Sequence, residues 1–236
     1  MTTTLSIAEL TQQFPDFRVA VLVAEDLSIK TERSGALDAE IASYEAECRT
    51  RWGGTELSDI PGIAAWRAAY RAFGIKKTSY RCSVERLIKN ILAERELPGI
   101  NGFVDAYNGI SLAHELCVGA DDLDKTEGPF AFRFSRAGDT FIDMAAEVGD
   151  DPNDPPKEGE VVYADARHVL CRRWNWRQDA RSIITPATKR AIVTLQSNGA
   201  GDPLAAAEAL ATLLVRDCGA KVRIGVADAA RAEVTF

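Results

Sequence analysis

The first uninterrupted apolar run lies in Arg18 to Leu27, where Val19, Ala20, Val21, Leu22 and Val23 follow one another. It predicts a buried strand. Helical spacing comes next. Leu37, Ile41, Tyr44 and Cys48 share one face of a first helix, and Ile63, Trp66, Tyr70 and Phe73 mark a second that starts near Ser58 and stops at Gly74. Ser83 reads as the cap of a third, with Val84, Leu87, Ile88, Ile91 and Leu92 as its buried stripe and Pro98 closing it. A fourth runs from Ile100 to Leu112, with Ile100, Phe103, Val104 and Tyr107 at the same period.

Beyond this helix the period shortens to two. Phe130, Phe132 and Phe134 alternate with Ala131, Arg133 and Ser135, a half-buried strand. Further strands are predicted over Glu160 to Ala164, Val169 to Trp174, Ser182 to Ile184 and Ile192 to Leu195. GDDPNDPPKEG, residues 149–159, is too rich in Pro, Gly and Asp for anything but a surface loop. Asp202-Pro203 opens a last helix with Leu210 and Leu214 inward, Gly219 ends it, and Lys221 to Val226 is a closing strand. No internal repeat is present. Helices gathered first and strands in a run afterwards predict an α+β fold, with a mixed or antiparallel sheet and the Ile100 helix against it. Residues 1–82 are expected as an N-terminal strand and helices packed on a core domain formed by residues 83–236.

A chain of 236 residues, 46% apolar and 27% charged, is long enough to bury a sizeable interior and ordinary enough to be globular. No apolar run approaches the ~18 residues that cross a bilayer, and the start MTTTLSIAEL has neither basic nor apolar leader character. A cytoplasmic location without membrane attachment is the expectation. The net charge of −7 argues against broad attachment to a nucleic-acid backbone, while leaving room for a local basic cluster near Arg172, Arg173, Arg177 and Arg181. Five scattered cysteines without CxxC read as small buried hydrophobes. His114-x-x-Cys117 and His168-x-x-Cys171 repeat one spacing, but zinc signatures are tighter than this, so neither metal nor cofactor is expected.

Two constellations stand out for chemistry. Asn101, Asp105 and Asn108 occupy i, i+4 and i+7 of the fourth helix, in one line along its surface. Short polar side chains in a row imply fixed hydrogen bonds, made either to a ligand or to neighbouring backbone. Trp174-Asn175-Trp176-Arg177-Gln178 combines stacking faces with directional donors. In a strand, the tryptophans would share one face and Asn175 and Arg177 the other. Such a segment suits an aromatic or nucleotide-like ligand; equally, the tryptophans belong to the core and Arg177 reaches to water. No GxSxG and no Gly-rich phosphate loop is present, and Asp121, Asp122 and Asp124 form an acidic cluster read as a turn, without calcium-loop spacing.

Leu97-Pro98-Gly99-Ile100-Asn101, Val104-Asp105-Ala106-Tyr107-Asn108 and Gly119-Ala120-Asp121-Asp122-Leu123-Asp124 together resemble the B3/B4 module of the phenylalanyl-tRNA synthetase β subunit. Its pattern runs P-I-N-N-x-V-D-x-T-N, then P-x-H-A-F-D. Arg133, Gly138-Asp139-Thr140-Phe141 and Gly159-Glu160-Val161-Val162 resemble the next strands. Trp174 to Gln178 with Thr185-Pro186-Ala187-Thr188 is similar to freestanding relatives of the module. The likeness covers Ser83 to Ser197. In the synthetase this module hydrolyses tyrosine wrongly attached to the phenylalanine tRNA, in a pocket beside the VDxTN helix. Asp105 and Asn108 match that helix. The family threonine is Tyr107 here, its histidine corresponds to Gly119, and its tyrosine-reading glutamate falls at Thr194. A pocket built for a hydroxyl loses discrimination once that partner is gone.

The resemblance implies a freestanding editing factor that hydrolyses mischarged tRNA in trans and has no ligase activity of its own. Asn108 and Asp105 are then the catalytic candidates. Asn101, Tyr107, Gly119, Trp174, Asn175, Trp176, Arg177, Gln178 and Thr194 are the substrate-binding candidates. An editing factor should show a basic rim from Arg172, Arg173, Arg177 and Lys189. The alternative is a non-catalytic module binding a free amino acid, a nucleotide or RNA.

Overall fold

The computed structural model describes residues 3–77, 79–147, 149 and 151–236. The apolar run near the start is strand β2 (Phe17–Glu25), and it is buried because it lies inside a sheet. It pairs antiparallel with β8 (Ala191–Asn198) on one side and β9 (Lys221–Ala227) on the other. Beyond β8, β3 (Cys117–Asp122) forms the edge, giving the order β3-β8-β2-β9.

A second sheet has the order β10 (Glu233–Thr235), β1 (Thr4–Ser6), β4 (Phe130–Phe134), β5 (Val161–Ala164), β6 (Val169–Arg172) and β7 (Arg177–Gln178). Only β1 and β4 run parallel in it; the other neighbours are antiparallel. The fold is therefore α+β, with one antiparallel and one mixed sheet. Helix α5 (Pro203–Cys218) lies against β2, β8 and β9, and α4 (Gly102–His114) lies beside it against β3. Helix α1 (Gly35–Trp52) covers α4, α2 (Pro61–Ala72) packs on β8, and α3 (Ser83–Leu92) bridges α4 and β3. The first 82 residues thus supply an interior strand of the four-stranded sheet as well as helices around it.

Local chemistry moves several boundaries from where periodicity alone sets them. Pro61 at the start of α2 fixes that helix two residues after a 3₁₀ turn, Leu57–Asp59. The cap position of α3 is Cys82, whose side chain makes no capping bond, and Ser83 is its first helical residue. That helix ends at Leu92, well before Pro98, because Glu94 turns left-handed at φ 57°. Helix α4 starts at Gly102 with Asn101 as its cap, leaving Ile100 outside and largely exposed. Ser182 to Ile184 is irregular rather than a strand: Ser182 is bound to the end of β3, its carbonyl accepting from Asp122 N (2.8 Å). The described part of the 149–159 loop carries no helix or strand, with one isolated bridge between Ile142 and Asn153; Asp150 lies outside the described residues.

The expected strand over Val169 to Trp174 stops at Arg172, because Arg173 and Trp174 both adopt positive φ, 45° and 65°. Left-handed backbone costs a non-glycine residue roughly 1–2 kcal/mol. Packing on both sides offsets that cost. Trp174 is fully buried, with ring centroids of Phe14, Phe17 and Trp66 at 4.7, 4.8 and 5.2 Å, all nearly edge-on. Arg173 lies with its guanidinium 3.9 Å from the Tyr80 ring centroid and 4.2 Å from that of Trp176. Trp174 and Trp176 consequently point to different places instead of sharing a strand face.

Two substitutions test this account by urea unfolding. Trp174→Ala empties the aromatic cluster and is expected to cost about 3–5 kcal/mol. Asn101→Ala removes the α4 cap and should cost about 1 kcal/mol. A loss under ~1 kcal/mol for Trp174→Ala would show that the corner is held from elsewhere.

Candidate functional site

The two sheets diverge beside α4 and leave a cleft of about 270 Å³. Helix α4 reaches it only with its second turn. Asn101 at its start accepts from Phe103 N (3.2 Å) and Val104 N (3.0 Å), and Asp105 accepts from Ile100 N (2.9 Å) and pairs with Arg33 (3.3 Å). Both side chains are spent on anchoring the helix and neither lines the cleft. Burial raises the Asp105 carboxyl above its ordinary range, with the Ile100 N–H and Arg33 opposing. Tyr107 and Asn108, one turn on, do line it.

The opposite wall is the strand pair β3 and β8, in which Gly119 faces Thr194 and Cys117 faces Gln196. A buried polar chain runs along it. Tyr70 OH donates to Asn175 Oδ1 (2.8 Å), Asn175 Nδ2 to Gln196 Oε1 (3.1 Å), and Gln196 Nε2 to Thr194 Oγ1 (3.0 Å). The β6–β7 corner closes the third side with Asn175, Trp176, Arg177 and Gln178. Of the residues singled out by sequence, the structure therefore brings Tyr107, Asn108, Gly119, Asn175, Trp176, Arg177, Gln178 and Thr194 together; Asn101, Asp105 and Trp174 lie elsewhere.

Asp121 is the lining residue that the sequence reading placed in a turn. It belongs to β3, two residues after Gly119 and so on the same face, which the period of a strand makes legible once Gly119 is placed. It is 3% exposed, and its Oδ1 accepts from Ser182 Oγ (2.6 Å) and Gln178 Nε2 (3.1 Å). Its Oδ2 has no partner among the described residues. Burial pushes this carboxyl up to about 7, with Asp179 and Asp165 adding to the rise and the Ser182 and Gln178 bonds opposing it. Tyr163 OH, buried on the same cleft, also lacks a partner among the described residues. Burial and Asp121 push the Cys171 thiol well up, so it is no thiolate nucleophile.

The positive charge differs from the expected rim. Arg172 is buried against Glu160 (2.6 Å) and Asp154, and Arg173 pairs with Glu160 (3.2 Å). Lys189 lies at another hollow, bonded to Leu27 O (3.4 Å). At the cleft itself are Arg177, paired with Asp143 (2.7 Å), and Arg86, which donates to Trp176 O (3.3 Å). Burial and the neighbouring Arg177 lower the Arg86 guanidinium from its ordinary value. His168 Nδ1 sits within 3.1 Å of Thr140 Oγ1 and 3.0 Å of Arg181 Nη1, and no group of three or more potential metal ligands occurs among the described residues.

Comparison with known proteins agrees on a family. The model of the B3/4 domain family matches residues 65–199, more than half of the chain. Among solved structures, an N-terminal fragment of the phenylalanyl-tRNA synthetase beta-subunit from Pyrococcus horikoshii aligns at 11% identity with a TM-score of 0.45, covering 94% of this chain and 50% of that one. The chain thus spans half the length of that fragment. No curated protein matches. Among the described residues no helix is long and apolar enough to cross a membrane.

The buried carboxylate gives the cleft a signature in solution. An unfolded Asp titrates near 4 and Asp121 near 7. Between those values the native protein holds a proton that the unfolded chain has released, so stability falls as pH rises and levels off above about 7. The full effect is at most roughly 4 kcal/mol. Asp121→Asn should remove this slope in denaturation measured from pH 4 to 8; an unaltered slope would place the titration elsewhere.

Proposed function

The chain belongs to the B3/4 domain family, and from that premise we propose that its cleft takes the aminoacyl end of a mischarged tRNA and hydrolyses the ester in trans. The observation that carries this reading is Asp121, a buried carboxyl poised near neutrality with one oxygen unspent, on the wall of an amino-acid-sized cleft. A general base works best with a pKa close to the operating pH.

The step balances without a protein nucleophile. The Asp121 carboxylate takes a proton from a water whose oxygen bonds to the ester carbonyl carbon. The carbonyl electron pair moves onto oxygen, where donors meet it. Asn108 Nδ2 and Tyr163 OH are the candidate donors, since both line the cleft and the tyrosine hydroxyl has no partner among the described residues. The tetrahedral adduct then collapses. The bond to the ribose oxygen breaks, and that oxygen takes the proton back from Asp121, releasing a free amino acid and a tRNA with a free hydroxyl. Asp105, expected to share in the chemistry, acts in this scheme through the placement of α4. Gly119 stands where the family pattern has histidine, and a Cβ there would only touch Thr194 Oγ1 at 3.9 Å, so the slot is open on that side.

A second reading has a specific observation behind it. Arg172, Arg173 and Lys189 are not around the cleft, and Arg177 is already paired, which favours a free amino acid over an RNA end as the occupant.

A deacylation screen over mischarged tRNAs separates the two. Hydrolysis should rise with pH to a plateau above about 7. Asp121→Asn should lower its rate by roughly 10²–10⁴-fold, and Asn108→Ala by about 10-fold or more. Calorimetric binding of free amino acids with no release from any charged tRNA, and no response to Asp121→Asn, would support the binding module instead.

A further inference from the structure

From Pro61 to Lys89 the Lys and Arg side chains outnumber carboxylates seven to one, in a chain whose net charge is −7. The single acid, Glu85, is already taken by Arg67 (2.7 Å) and Arg81 (2.9 Å). Arg71, Lys76 and Lys77 are exposed and form no ion pair among the described residues. They surround a shallow groove of about 130 Å³ at the C-terminal end of α2, whose floor includes the Tyr70 and Tyr80 rings.

This groove adjoins the cleft through shared walls. Tyr80 lines the groove and meets Trp176 of the cleft edge-on at 5.0 Å, with the Arg173 guanidinium over both rings. Tyr70 lines the groove and bonds Asn175, which lines the cleft. Arg86 stands at the cleft on the next helix. Unpaired cations around one groove with aromatic rings suit a phosphodiester strand with bases to stack, and suit a flat anionic surface less well.

We infer that Arg71, Lys76 and Lys77 form a docking surface for RNA phosphates, over which an RNA strand runs before its end enters the cleft. This rests on the hydrolase reading for what the end carries, but the surface itself stands on charge and position. The rim expected from Arg172, Arg173, Arg177 and Lys189 is spent on acids or lies elsewhere, whereas Arg71 near the end of α2 and Lys76 and Lys77 just after it are exposed and unpaired among the described residues.

The test uses the full chain and a fluorescein-labelled RNA hairpin with a short 3′ overhang, titrated by anisotropy over a series of salt concentrations. Arg71→Glu/Lys76→Glu/Lys77→Glu should weaken binding at least tenfold and reduce the slope of log K against log salt by about two to three, one contact per cation. These are exposed positions, so circular dichroism should be unchanged. In parallel, hydrolysis of a small aminoacyl ester without RNA should be the same in both proteins. Equal RNA affinity and slope in the variant, or no RNA binding by the natural protein at low salt, overturns the docking surface whether or not the ester is hydrolysed. Loss of binding to anionic vesicles without any loss of RNA binding overturns it as well. Absence of ester hydrolysis with the RNA effect intact leaves the surface standing and counts against the hydrolase reading alone.

Discussion

The left-handed corner at Arg173 and Trp174 is the constraint on which the site depends. Two consecutive non-glycine residues at positive φ are sustained only when the surroundings over-determine them. Here Trp174 fills the aromatic core and Arg173 lies over two rings while facing Glu160. Their combined cost is roughly 2–4 kcal/mol, and burial of one tryptophan is worth a comparable amount. What the corner does is aim. It turns the chain so that Asn175 joins the polar chain on the cleft wall, Trp176 edges the mouth, and Gln178 holds Asp121. A plain strand through these residues would have sent the two tryptophans to one face and broken that convergence.

The second organising choice concerns acids. Glu85 is met by Arg67 and Arg81, Glu160 by Arg172 and Arg173, Asp139 by Arg133, and Asp179 by Arg181. Arg133 and the Arg136 N–H hold the Asp139 carboxyl below its ordinary value despite burial. Asp121 has no ion-pair partner among the described residues, and two neutral donors do not outweigh its burial and the nearby carboxylates. An unpaired buried charge is expensive, so the group keeps its proton up to about 7, far above the ordinary carboxylate range. Most of the buried acids meet a cation and Asp165 meets three backbone N–H groups, whereas Asp121 has only two neutral side-chain donors and lies on a cleft wall.

Much of the architecture is legible in the sequence because burial on both faces forces a continuous apolar run, as in β2, and burial on one face forces a helical stripe, as in α2 and α3. Asn108 and Gly119 were also legible, since the polar line on α4 and the strand after it carry the family pattern. The rest depends on contacts distant in sequence. Arg173-Trp174 contains no glycine or asparagine to announce a left-handed turn, and the rings that pack on Trp174, Phe14, Phe17 and Trp66, lie more than a hundred residues earlier. Asn101 and Asp105 fit the polar stripe as well as Asn108 does, but helix starts consume such side chains first, because their backbone N–H groups need acceptors. Asp121 was missed for the opposite reason: three acids in four residues look like a solvated turn until strand pairing with β8 places them.

The family match begins at residue 65 and includes every residue that lines the cleft, yet elements before residue 65 help to hold those walls in place. Strand β2 lies between β8 and β9, so the wall carrying Thr194 and Gln196 is hydrogen-bonded on its far side to residues 17–24. Phe14 and Phe17 press on Trp174 and thereby hold the corner that presents Trp176. Tyr70 closes the polar chain from α2, the helix that also carries Arg71. Residues 14–24 therefore stabilise the strand behind the cleft and the turn beside it, and α2 straddles the start of the match. Helix α2 touches Asn175 through the Tyr70 hydrogen bond and Trp174 through the Trp66 ring. Groove wall and cleft wall are thus joined through packed side chains that have little room to deform independently.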